Sequence, residues 1–285
     1  VEPAKNLRNI NFSIGEPKHS PPSFILDQVS GAIQEISRYP KIGGSDRLRD
    51  SIKKWLIKRY KLQIDSLDSD QNIAPVAGTR EGLFSLTQAI IGDSNSKDPV
   101  VLTQNPTYQI YEGAALLAGS TPFFFNHETT NGNKPNFKDV DHSAWQQCDL
   151  LYVCSPANPS GYILSDEESK WLLEKSMEHD FVIISDECYS EIYFDETQPP
   201  LGLLAVCRAL GRNDYHRCVV FNSLSKRSNL AGMRSGFVAG CSVIIKHFLR
   251  YRTYHGSAMP NHHQMASIAA WGDEVHVIEN RCLYR

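Results

Sequence analysis

The feature that most limits what this chain can fold into is a repeated change of hydrophobic period. Short apolar runs rich in β-branched residues, at 99–103, 150–154, 181–185, 218–222 and Gly236–Gly240, alternate with longer amphipathic stretches. Near-continuous apolar character in runs this short predicts strands covered on both faces. Between them lie helix patterns. Asp166–His179 is one, and its start, Ser165-Asp166-Glu167-Glu168, reads as a capping box. Residues 79–91 are another, following a turn at Gly78. The alternation predicts an α/β fold of three layers, α/β/α, around a mostly parallel sheet.

At 285 residues the chain can bury a sizeable core. The stretch 127–141 is polar and rich in Gly and Asn, and reads as a surface excursion. The segment before Tyr39, with Pro17, Pro21 and Pro22, reads as a separate extended arm. The expected organisation is an N-terminal arm or small-domain segment over 1–38, a large ligand-binding domain over 39–272, and the start of an inter-domain helix over 273–285.

Charge and composition exclude several classes. A net charge of -3 provides no basic field for nucleic acid or an anionic membrane. No apolar run reaches the roughly 18 residues needed to span a bilayer, and Val1-Glu2-Pro3 does not open like a signal peptide. The seven cysteines include no CxxC pair, and Cys154, Cys188 and Cys218 sit in or beside apolar runs, as small buried hydrophobes do. Ten histidines show no HExxH spacing, so no metal site is expected. Asn158-Pro159-Ser160 is no glycosylation site, because proline fills the middle position. These readings predict a soluble, cytoplasmic protein.

In an α/β sheet, ligands collect beyond the carboxyl ends of the strands. After 150–154 comes Ser155-Pro156-Ala157-Asn158-Pro159-Ser160-Gly161; after 181–185, Asp186-Glu187-Cys188-Tyr189; after 218–222, Ser223-Leu224-Ser225-Lys226-Arg227, and later Gly232-Met233-Arg234. This inventory fits pyridoxal 5'-phosphate. An amine forms an imine with the cofactor and then carries the substrate α-proton. A carboxylate keeps the pyridine nitrogen protonated. The phosphate takes N–H groups at a helix start, hydroxyls and an arginine fork. Gly78-Thr79-Arg80-Glu81-Gly82 offers the N–H groups, and Ser223, Ser225 and Arg234 the rest.

The ordered set GTREG, PTYQIY, SPANPSG, DECYSEIYF, SLSKR and GMRSGF resembles the class I aminotransferases, fold type I of the pyridoxal-phosphate enzymes, from about Asn11 to the last residue. The resemblance implies roles at the matched positions. Lys226 is the Schiff-base lysine, Asp186 the pyridine-nitrogen partner, and Asn158 and Tyr189 donate to the phenolic oxygen, with Lys226, Asp186 and Tyr189 acting in catalysis. Tyr108 stacks on the ring. Gly78, Thr79, Arg80, Ser223, Ser225 and Arg234 hold the phosphate. Gly15 meets the substrate carboxylate and Asn158 also faces the substrate. Tyr39 reaches the phosphate of a neighbouring subunit, which implies a homodimer with shared sites. Arg250 and Arg252 are candidates for a substrate's distal carboxylate.

Closer likeness, in INFSIGEPKH, YQIYEGAALLAG, SDECYSEIYF, LSKRSNLAGMRSGF and YRTYHGSAM, is to the N-succinyl-diaminopimelate aminotransferases of bacterial lysine synthesis. It implies transfer from an amino donor, glutamate, to N-succinyl-2-amino-6-oxopimelate. The family continues past the position of Arg285 by about one small domain, which carries the arginine for the substrate α-carboxylate. The resemblance therefore implies a chain lacking most of its small domain.

Taken singly each motif has a plain reading. A lone SxSK lysine is usually a surface lysine, Gly78-Thr79 a turn into a helix, Asn158-Pro159 a loop start and Asp186-Glu187 a turn. Tyr108 and Tyr111, three apart, read as core packing. Arg234, Arg250 and Arg252 read as surface charges. Other readings are aspartate or aromatic transamination, β-elimination at a carbon–sulfur bond, an effector-binding module, or an inert fragment.

Overall fold

The computed structural model describes residues 15–128 and 130–285. Asn11 to Ile14, where the resemblance begins, lie outside the described residues. Eight strands form one sheet: β1 Ile73–Val76, β2 Val100–Asn105, β3 Thr121–Glu128, β4 Lys134–Pro135, β5 Cys148–Cys154, β6 Val182–Asp186, β7 Cys218–Ser223 and β8 Gly236–Gly240. Their order is β1-β8-β7-β6-β5-β2-β3-β4. Only β8, against β1 and β7, and β4, against β3, pair antiparallel. The helices are α1 Ser23–Gly31, α2 Asp46–Tyr60, α3 Thr79–Gly92, α4 Ile110–Leu117, α5 His142–Gln147, α6 Asp166–His179, α7 Leu203–Ala209, α8 Leu224–Arg227, α9 Ser242–His255, α10 Asn261–Gly272 and α11 Val275–Cys282.

The fold is the three-layer α/β arrangement that the alternating pattern predicts. Successive strand residues point to opposite faces, and β5 shows both faces dry. Leu151 and Val153 join a core built with α1, α2, α5, α6, α7 and α10, whereas Leu150, Tyr152 and Cys154 join a second core with α3, α4 and α9. Gly82 permits the second layer to close: a Cβ there would stand 2.7 Å from the Phe221 ring of β7. Helix α6 has the expected capping box, with Ser165 accepting from the Glu168 N–H and Glu168 from the Ser165 N–H.

Two sequence readings change. The segment before Tyr39 is not merely extended: α1 buries Ile25 in the first core and packs on α10. The stretch 127–141 is not all loop, since His127 and Glu128 finish β3 and pair with β4.

The topology gathers the ends of several strands at one edge. Register pairs Cys154 with Asp186, Asp186 with Phe221, Ser223 with Gly236, and Gly236 with Val76. Because β8 runs backwards, its start lies at the edge where β1, β5, β6 and β7 finish. Arg234, just before β8, is thereby brought beside the residues that follow the other four strands.

Candidate active site

Lys226 lies in the single helical turn of α8, directly after β7. Ser223 starts that turn by accepting from the Ser225 N–H at 3.0 Å, and its hydroxyl lies 2.9 Å from Ser225 Oγ. The Lys226 ammonium donates to the Gly15 carbonyl and stands 5.7 Å from the centre of the Tyr189 ring. The side chain is half-buried, and burial lowers its pKa from the usual lysine value. Asn280 Nδ2, on α11, donates to the carbonyls of Lys226 and Arg227 at 3.0 and 3.2 Å, fixing the backbone beneath the amine.

Asp186 ends β6 and is buried. Burial raises its pKa; hydrogen bonds from the neighbouring Cys188 and Tyr111 oppose the rise. Tyr111 Oη donates to Oδ2 at 2.8 Å and the Cys188 N–H donates to Oδ1 at 3.1 Å. Tyr111 is fully buried, stacks on Tyr152 at 4.4 Å, and its own phenol is pushed well above the usual value by burial and the adjacent carboxylate. A residue that spacing marked as core packing is therefore also the hydrogen-bond partner of the site's carboxylate. No local signal separates the two roles.

The head of α3 has the geometry of an anion cradle. Gly78 takes φ +88° before Thr79 starts the helix, and a Cβ there would meet Nη2 of Arg234 at 2.1 Å. Only glycine admits both the backbone turn and the overlying guanidinium. Arg234 itself adopts φ +51° and donates through Nη1 to the Ala231 carbonyl at 2.9 Å. Thr79 Oγ1 lies 3.2 Å from Cys188 Sγ. Arg80 Nε donates to Tyr108 Oη at 2.5 Å, tying the phenol expected over the ring to the cradle.

The remaining expected residues divide. Asn158 is half-buried in the loop after β5, and Tyr189 is half-buried in the turn after β6. Tyr39 is fully exposed, and Arg250 is exposed on α9. Arg252 does not face solvent as a substrate contact would: its side chain is wholly buried and engaged with Glu81 at 2.8 Å, because residues two apart on a helix face different sides. Glu187, beside Asp186, carries no signal in the sequence that separates it from a turn residue; it is buried and accepts from Tyr60 Oη at 2.8 Å and the Leu203 N–H at 2.7 Å. Among the described residues no cluster of His, Cys, Asp and Glu could hold a metal, and no helix is long and apolar enough to cross a membrane.

Residues 8–282 match the family model described as aminotransferase class I and II. A protein of Natranaerobius thermophilus named LL-diaminopimelate aminotransferase is 30% identical over 290 residues, which cover 99% of this chain and 69% of that one. Among solved structures, an aminotransferase from Neisseria meningitidis has 44% identity and a TM-score of 0.93, covering 99% of this chain and 70% of that chain. The aminotransferase AspB from Helicobacter pylori has 34% identity and a TM-score of 0.91, covering 98% and 72%.

Proposed function

The chain belongs to the class I and II aminotransferases, and from that membership we propose that it exchanges an amino group between an amino acid and a 2-oxo acid, using pyridoxal 5'-phosphate carried on Lys226. The observation that carries this reading is the pair at the sheet edge: a half-buried amine whose proton affinity burial lowers, and a buried carboxylate behind the adjacent strand. The cradle fits the rest of the group, because Arg234 lies over Gly78 at a helix start where free N–H groups favour a phosphate.

Pyridoxal 5'-phosphate, when bound, supplies an electron-accepting ring for bond breaking at the substrate α-carbon. The chain's residues do the rest. Nζ of Lys226, deprotonated more readily than a surface lysine, would take the α-proton and return it, in a 1,3 shift, to the cofactor carbon on the far side of the shared nitrogen. Asp186 holds a proton on the ring nitrogen. Tyr108 covers the ring face, with its hydroxyl held by Arg80. Asn158 and Tyr189 direct donors to the phenolic oxygen. Thr79, Arg80, Ser223, Ser225 and Arg234 would grip the phosphate, and the family likeness supports Gly15, whose carbonyl accepts from the Lys226 amine, as a neighbour of the substrate carboxylate.

For the substrate we infer a diaminopimelate skeleton, with glutamate as donor and N-succinyl-2-amino-6-oxopimelate as acceptor. The sequence likeness supports the succinylated form; the name of the Natranaerobius relative supports the skeleton. The chain is read as a homodimer with Tyr39 serving the neighbouring site. The test is borohydride reduction after loading with cofactor, then peptide mass mapping. A pyridoxyl adduct is expected on Lys226, and an adduct elsewhere overturns the lysine assignment. Half-reactions with glutamate, N-succinyl-LL-diaminopimelate, LL-diaminopimelate, aspartate and phenylalanine then order the substrates. A preference for aspartate or phenylalanine overturns the diaminopimelate reading.

A further inference from the structure

Arg252 is a large buried charge whose hydrogen-bond partners lie within the chain. Its Nη1 donates to both carboxylate oxygens of Glu81, at 2.9 and 2.8 Å, and its Nη2 donates to the Ser257 carbonyl. The guanidinium also sits 5.2 Å from the centre of the Phe248 ring. Glu81 passes the contact on: its Oε1 accepts from the N–H of Ala77, the residue before Gly78, at 2.7 Å. Glu81 belongs to the first turn of α3, the turn whose free N–H groups form the phosphate cradle.

A carboxylate in that turn favours the helix but opposes the ligand. It repels an incoming phosphate and competes with it for N–H groups. A buried ion pair adds little net stability, because desolvation offsets the attraction. The Arg252 contact, with Nη1 shared between both carboxylate oxygens, has a local effect instead: it offsets the charge and holds the carboxylate on the Ala77 N–H, away from the N–H groups of Gly78, Thr79 and Arg80.

We propose that Arg252 is a positioning residue for anion binding, acting from α9 through Glu81 to keep the head of α3 open and electrically favourable to phosphate. The proposal rests on the cofactor reading above. It differs from a simple staple between α9 and α3, which would support any ligand of the site equally.

The discriminating experiment titrates the 285-residue chain with pyridoxal 5'-phosphate and with pyridoxal, which lacks the phosphate, following visible absorbance. Arg252→Gln leaves Glu81 unneutralised, so affinity for pyridoxal 5'-phosphate is expected to fall roughly 10- to 100-fold. Affinity for pyridoxal should change by less than about threefold. Adding Glu81→Gln removes the offending charge and should restore phosphate binding. Equal losses for both ligands, or no restoration in the double variant, overturn the proposal. Glu81→Gln alone keeps an acceptor for Ala77 and decides the matter should Arg252→Gln fail to fold. It is expected to bind pyridoxal 5'-phosphate at least as tightly as the parent, and weaker binding overturns the proposal. A parent chain that prefers neither ligand would instead overturn the cofactor reading itself.

Discussion

Tyr111 illustrates what one residue adds to the site. Its hydroxyl supplies a hydrogen bond that favours the ionised form of Asp186 inside a setting where burial disfavours it. Tyr111→Phe removes the donor and keeps the ring stacked on Tyr152. A hydrogen bond to a charged group of this kind is worth about 1.5–3 kcal/mol, so transamination should fall by roughly 10-fold or more. Without the donor the Asp186 pKa rises further, so the acidic limb of the rate profile should move to higher pH. A reduced rate with an unmoved profile would make Tyr111 a packing residue only. Lys226→Ala is the companion test: cofactor can still bind through the cradle, yet no borohydride-fixed adduct should form. Persistence of an adduct at another lysine would reassign the amine. Lys226 and Asp186 stand out as candidates in the sequence because each follows an apolar run that reads as a strand, and the cradle because Gly78 opens a helix pattern. Tyr111 does not, because its partner lies 75 positions away and local spacing carries no trace of it.

At the scale of elements, the central strands announced themselves by being apolar on both faces, and α6 by its cap. β1 and β3 did not. β1 contains Pro75, which breaks the strand pattern in sequence, and β1 occupies the sheet edge, where a missing N–H is tolerated. β3 is exposed along much of its length, so it lacks the buried run that marked its neighbours. Helix geometry also separates Arg250 from Arg252. Arg250 alone stays exposed, and Arg250→Ala should weaken use of N-succinyl-diaminopimelate by roughly 10- to 200-fold. Glutamate, too short for that contact, should be affected less; equal losses would assign Arg250 to structure. Glu187 joins three elements, linking the end of α2 through Tyr60, the end of β6, and the start of α7. Burial pushes its pKa from 4.5 to about 7. The folded state therefore holds a proton that the unfolded chain releases, so this group's stabilising contribution is full below pH 4.5 and is lost as pH rises through about 7. Glu187→Gln imitates the protonated acid. Its stability relative to the parent should improve from pH 4.5 to pH 8 by on the order of 3 kcal/mol. Denaturant curves at the two pH values measure this, and a constant difference would mean that Glu187 keeps an ordinary pKa in the fold.

The whole molecule brings the candidate residues together beyond the carboxyl ends of its strands and leaves Tyr39 pointing away from the chain's own core. Tyr39 is fully exposed, an unusual state for a tyrosine whose ring would otherwise bury a large apolar area. The homodimer reading gives that exposure a use: each copy lends its Tyr39 to the phosphate of the other, across a two-fold axis. Mixing variants tests this directly. A dimer of Lys226→Ala chains has no amine at either site, and a dimer of Tyr39→Ala chains lacks the donated hydroxyl at both. In a mixed dimer the Lys226→Ala copy supplies an intact Tyr39 to its partner's intact Lys226, so one site of the two is complete. With random pairing half the dimers are mixed, and about a quarter of parental activity should return. The expected result is activity well above the mean of the two variants measured separately, appearing only after the subunits are allowed to exchange. If Tyr39 serves its own chain's site, mixing produces no gain, because every site with Lys226 also lacks the tyrosine. Activity equal to that mean would remove the shared-site reading while leaving the assignments of Lys226 and Asp186 untouched.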